Sequence, residues 1–161
     1  MQERQIREVS DADFGALQLW AMVSHGGPIG GPARELELRE WRGALGPWPL
    51  VISTEGDGAQ ELADLTPGLR AVLKALPGRD AALRADVSAR MIGLAREWAE
   101  DGALSADTLT AALAITEVSV DFVSGAFASL WLRESAGIFA DHVLVAELGA
   151  SGALEHVSLQ G

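Results

Sequence analysis

The chain has 161 residues, 48% of them hydrophobic, with five tryptophans and a mean hydropathy of +0.17. That excludes a disordered acidic tail and allows one core that takes roughly 70% of the unfolded chain's surface out of water. Twelve basic residues against 23 acidic ones leave a formal charge of -11, which argues against nucleic acid, and the absence of cysteine removes disulfides, thiolate metal sites and thiol nucleophiles.

The length fits a single domain over residues 1–161. The N-terminus is charged from the start, with Glu3, Arg4, Arg7 and Glu8, and lacks the apolar core of a secretory signal. No apolar run approaches the roughly 20 residues that span a bilayer, so no membrane association and a cytoplasmic location are expected.

From Phe14 to Thr54 the pattern is that of strands. Leu17, Leu19, Ala21 and Val23 alternate with Gln18, Trp20 and Met22, and Leu36 and Leu38 alternate with Glu35, Glu37 and Arg39. Gly26-Gly27-Pro28-Ile29-Gly30-Gly31-Pro32 between these runs is a loop, and Pro49 to Thr54 is a third strand.

Residues 59–114 take the helical period. Thr66 reads as an N-cap before Pro67, and Leu69, Val72, Leu73 and Leu76 form one stripe that Pro77-Gly78 ends. Leu83, Val87, Met91, Leu94 and Trp98 recur every three or four residues, which predicts a core-facing helix of about five turns. Asp101-Gly102 closes it, and Ser105 caps a shorter helix that buries Leu109 and Leu113.

The last block returns to a period of two. Val118, Val120 and Phe122 oppose Glu117, Ser119 and Asp121. A three-residue loop, Ser124-Gly125-Ala126, then pairs Val120 with Leu130 and Val118 with Leu132, keeping all of them on one face. A second hairpin joins His142–Leu148 to Ala153–Leu159. The predicted class is α+β: an antiparallel sheet, built from N-terminal strands plus two C-terminal hairpins, packed against about three central helices.

The stretch Gly137-Ile138-Phe139-Ala140-Asp141-His142-Val143-Leu144-Val145, closed by Gly152 to Gly161, resembles the ending of a loose group of uncharacterised bacterial domains. Some members of that group resemble or neighbour immunity proteins of polymorphic toxin systems. The resemblance implies the hairpin fold, is nearly silent on function and assigns no activity. Where many of the group have a glycine before the histidine, this chain has Asp141.

His142, beside Asp141, is the first candidate for a base or ligand, and a small hydrolase built on this pair is the enzymatic alternative. The simpler reading is that His142 bonds a neighbouring carbonyl and fixes the entry to its strand. A metal site would need His142, His156, Asp141 and Glu147, but strand parity puts His142 and His156 on opposite faces, so no metal and no cofactor are expected. A cross-strand pair of Glu147 with His156 is expected instead.

Gly26–Pro32 is no phosphate cradle, since Pro28 and Pro32 each remove a backbone donor and a strand follows. Adjacent Ser24 and His25 point to opposite sides, which does not suit a nucleophile and its base. The pairs Glu117/Asp121 and Glu35/Glu37 read as solvated acids rather than a glycosidase pair.

Residues 101–161 hold eight acids and one base, Arg133, so a polar partner is expected to be basic. Trp131, with Phe127, Ser129 and Arg133, is expected on the side away from Val118 and Val120. The leading expectation is a cytoplasmic binding module, immunity-like, that meets a basic protein through Trp131, Phe127, Arg133, Glu117 and Asp121. A homodimer through the sheet edge or the Trp131 face is the further alternative.

Overall fold

A computed structural model describes residues 2–26, 34–121 and 127–161. Four strands come first: β1 (Gln2–Asp11), β2 (Gly15–Gly26), β3 (Arg34–Leu45) and β4 (Trp48–Thr54). Helices α1 (Ala59–Asp64), α2 (Pro67–Ala75), α3 (Asp80–Trp98) and α4 (Ala106–Ala112) follow, with a 3-10 turn at Pro77–Arg79 leading into α3. Strands β5 (Leu113–Val120), β6 (Ala128–Glu134), β7 (Val143–Leu148) and β8 (Leu154–Gln160) complete the order.

All eight strands form one sheet in sequence order, antiparallel throughout except where β5 lies parallel to β4. Two four-stranded meanders therefore meet at one short parallel ladder, because the helical crossover returns the chain before β5 starts. The class is α+β, with the helices between the two sets of strands.

The hydrophobic pattern does not predict β1. Its residues from Gln2 to Glu8 are exposed, and an edge strand wetted on both sides needs no apolar alternation. The expected alternation at Leu36 and Leu38 also changes meaning. Trp41, of the same parity as Glu37 and Arg39, is fully buried, so Leu38 points to the other side and is 61% exposed.

The hairpin β5–β6 pairs Val118 with Leu130 instead of Leu132, a shift of two residues that leaves both on the buried face. A bulge between Ile115 and Glu117 then brings Leu132 opposite Ile115. Phe122, the Ser124-Gly125-Ala126 turn and the Gly27–Pro32 part of the expected loop lie outside the described residues, as do the side chains of Ser24, His25, Glu35 and Leu36.

Helix starts match their sequence signals. Thr66 Oγ1 accepts from the Leu69 N–H, Pro67 occupies the first helical turn, and Ser105 Oγ accepts from the Thr108 N–H. The α3 stripe is buried at Leu83, Val87 and Met91 but then continues through Ala95. Leu94 is only half-buried, and Trp98, in the last turn, is 44% exposed, contrary to the expected burial. Its ring instead meets Phe139 edge-on at 5.7 Å.

Two residues of α3 should respond oppositely to truncation. Met91→Ala opens a cavity under the helix and is expected to cost about 2–3 kcal/mol. Ser88 is fully buried and its hydroxyl has no partner among the described residues, so Ser88→Ala should be neutral or stabilising by up to about 1 kcal/mol. Urea unfolding of both variants checks the pair, and a loss at Ser88 equal to that at Met91 would contradict it.

At the sheet's first turn, Arg70 of α2 donates to both carboxylate oxygens of Asp11 at 2.8 and 2.9 Å and to Asp13 at 3.2 Å, while Lys74 reaches Asp13 at 2.8 Å. Burial works to raise Asp11, but hydrogen bonds from Arg70 and from the N–H groups of Asp13 and Phe14 outweigh it and hold its carboxyl below the usual range. The Lys74 hydrogen bond, aided by Arg70, does the same for Asp13.

Both folded-state values lie below the unfolded ones. The stability they contribute is therefore present above about pH 4 and lost as pH falls through the folded values. Arg70→Ala should lower Tm at pH 7, and the gap between variant and wild type should narrow between pH 5 and pH 2. A gap that stays constant over that range would remove the ion pairs from the account.

Candidate binding surface on the open sheet face

Alternation divides the sheet's residues between two sides. Leu17, Leu19, Trp41, Leu50, Ile52, Val118, Leu130, Leu132 and Leu144 are buried on the helical side. Among the described residues no helix lies against the opposite side, and its residues line up in rows set by the strand register. One row reads Gln18, Arg42, Val51, Ser119, Ser129, Glu147 and His156 from β2 to β8. The next reads Glu117, Trp131, Val145 and Ser158 from β5 to β8, and on the other side Trp20, Glu40 and Ser53 run from β2 to β4.

Trp131 is half-buried, and its indole Nε1 donates to Ser119 Oγ at 2.9 Å, one row away. The hydrogen bond holds the ring across the middle of the face. Val145, its partner in the register, is only 4% exposed although no helix covers it. Trp20 lies on the same side, with its indole N–H on Gln18 and the Arg42 guanidinium 4.9 Å from the ring centre. Arg42 also pairs with Glu40 at 2.7 Å and with Glu3 at 3.2 Å.

The described charges of this side are six carboxylates (Glu3, Glu8, Glu40, Glu117, Asp121 and Glu147) and two arginines, Arg42 and Arg133. Burial pushes Glu117 above the ordinary carboxylate range, Glu40 pushes it further, and Arg42 offsets part of the effect. A carboxyl raised by folding destabilises the fold at neutral pH, so Glu117 sits here against its own electrostatic preference. Glu117→Gln should therefore leave Tm at pH 7 unchanged or raised, and a clear loss on thermal scanning would contradict this.

Two clefts flank Trp131. One of about 340 Å³ includes Glu40, Ser119, Ser129 and Glu147, and one of about 440 Å³ includes Thr116, Arg133 and Val143; Glu117 and Trp131 line both. A third, of about 390 Å³, opens where β4 and β5 end against α1, with Glu55, Glu61, Asp64 and Asp121 in its wall.

Of the residues singled out by sequence, Glu117, Asp121, Trp131 and Arg133 share this side. Phe127 does not join Trp131: it precedes β6, gives its N–H to the Leu148 carbonyl and packs half-buried against the core. Sequence reasoning missed Glu40, Arg42 and the serine row, since only the pairing of β4 with β5 joins the two meanders into one surface.

His142 lies at the entry to β7, with Nδ1 3.0 Å from the Phe139 carbonyl and its ring edge-on to Trp98 at 5.1 Å. It lines none of the clefts above, and Asp141 beside it is exposed. The contact to a neighbouring carbonyl is the one the simpler expectation named. His156 pairs with Glu147 on the open side, whereas His142 packs against α3, so the two rings do face apart. Among the described residues no group of three His, Asp or Glu is placed to hold a metal ion. No helix there is long and apolar enough to cross a membrane.

Compared with protein-family models, characterised proteins and solved structures, the chain matches none.

Proposed function

We propose that this protein is a small cytoplasmic binding module, of the kind found among immunity proteins, that captures a basic protein partner on the open face of its sheet. The observation that carries the reading is Trp131: a large aromatic ring, half-buried and pinned by Ser119, on a side that no described helix covers and among carboxylates. Aromatic anchors set in a polar surround dominate the energetics of protein interfaces. A field of one sign also speeds the approach of a partner of the other sign.

Charge makes a second copy of the chain a poor occupant, because a face-to-face pair would oppose carboxylates to carboxylates on a protein of net charge -11. An enzymatic role centred on His142 finds less support, since that ring is engaged by the Phe139 carbonyl and by Trp98.

The test is affinity capture from the native host with wild-type protein and the Trp131→Ala variant in parallel. The expected result is a basic protein held by the wild type, released by salt and absent from the variant. Equal capture by both proteins, or capture of an acidic partner alone, would overturn the reading.

A further inference from the structure

We infer that the partner enters as an extended basic segment lying across the strands, in a trough floored by Val51, Ser119 and Ser129 and walled by Glu40 on one side and by Glu117 and Trp131 on the other. The inference rests on the reading that the open face receives a basic protein, and it adds the form in which that protein binds.

The floor follows from the register. Val51, Ser119 and Ser129 are consecutive members of one row, and Glu147 continues it on β7. Small side chains in the row leave a depression with Glu117 and Trp131 along one side; on the other stand Asp121 and, past the short Ser53, Glu40 of β3. Neighbouring strands lie about 4.8 Å apart, so the run from Val51 to Glu147 is about 14 Å long, the reach of about four residues of extended chain.

The width argues the same way. Same-face residues two apart along a strand are about 7 Å apart and neighbouring strands about 4.8 Å, so Glu40 on β3 and Glu117 on β5, one row to either side of the floor and two strands apart, have backbones about 17 Å apart. Their own side chains narrow that gap. An α-helix with side chains measures about 10–12 Å and would ride on the walls, whereas an extended segment reaches the floor.

Charge selects the occupant. Burial first, and Glu40 across the trough second, disfavour ionisation of Glu117, with Arg42 a partial counterweight. Arg42 is already engaged by Glu40 and Glu3, so a lysine or arginine side chain lowered beside Glu117 supplies the charge that Arg42 offsets only in part, and its methylene stem can lie along Trp131. Addition of a partner strand at the sheet's ends is less well served. The β1 edge is charged and bulged between Gln5 and Arg7, and on β8 the carbonyls of Leu154 and Glu155 already accept from Arg90 at 2.7 Å.

The test uses the full ¹⁵N-labelled chain and a synthetic, unstructured peptide of sequence Arg-Ser-Lys-Arg-Ser-Lys-Arg, with the same peptide carrying Glu at each basic position as control. Titration should move the Trp131 indole N–H and the amides of Ser119 and Ser129, leave the Trp41 indole in place, and fail with the acidic peptide. Ser129→Leu fills the floor without touching a charge and should weaken binding at least tenfold.

If Trp131→Ala loses the basic peptide while folded Ser129→Leu binds it as wild type does, the face binds but the trough does not, and this inference falls while the proposed function stands. If the shifts spread evenly to acids at the far end of α3, such as Glu97 and Asp101, both fall. The map on the wild-type chain decides the matter even where a variant does not fold.

Discussion

Trp41→Ala should be among the most destabilising single substitutions in this protein, costing about 3–5 kcal/mol. Trp41 is fully buried in β3, between Leu19 of β2 and Ile52 of β4, and its indole Nε1 donates to the Gly58 carbonyl at 2.9 Å. Truncation leaves a cavity in the first meander and a carbonyl without its donor, two losses that add to each other. Gly58 adopts φ of 86°, and a Cβ there would stand 2.6 Å from the same indole nitrogen. Gly58→Ala should therefore also destabilise, and the two substitutions together should cost less than their sum, because removing the ring removes the clash. Denaturant unfolding of the two single variants and the double variant measures the coupling. A loss below about 1 kcal/mol for Trp41→Ala would mean that the meander closes over the gap.

What the sequence disclosed, and what it did not, divides by the range of the interaction concerned. Helix caps at Thr66 and Ser105 depend on atoms within three residues, so local spacing reveals them. The faces of β5 through β8 follow from a period of two, and a two-residue error in the β5–β6 register leaves them unchanged. Trp98 keeps to the apolar stripe of α3, but the stripe cannot tell where the underlying core ends, and the ring settles on Phe139 and His142 at the margin. β1 lacks the apolar signal altogether. Leu38 and Trp41 lie on opposite faces of β3, and choosing between them requires knowing which one the helices cover.

The candidate surface was half legible for the same reason. Glu117, Asp121, Trp131 and Arg133 are neighbours within one hairpin, whereas Glu40 and Arg42 reach them only across the parallel pairing of Val51 with Ser119. Nothing in either segment alone announces that ladder. Phe127 shows the converse limit: extending strand parity one residue past the start of β6 put it beside Trp131, and the chain there has already turned toward the core.

Removing Trp131 and reversing the charge around it are expected to weaken partner binding by different kinetic routes. Trp131→Ala deletes the proposed anchor, a ring already held by Ser119 in the free protein, so under that proposal little ordering is lost on binding and the ring's contacts count nearly in full. The complex should weaken by about 2 kcal/mol or more, roughly thirtyfold, almost entirely through faster dissociation. Glu117→Lys with Asp121→Lys instead changes the field that a basic partner meets on approach, which ordinary salt screens over about 8–10 Å. That double variant should lower the association rate and flatten its dependence on salt while altering dissociation less. Surface plasmon resonance at several ionic strengths separates the two. Both variants should keep the wild-type Tm within a few degrees, since neither side belongs to the buried core. A Trp131→Ala complex that dissociates as slowly as wild type would show that the ring is not the anchor. An association rate indifferent to the charge reversal would show that the carboxylates do not steer the encounter.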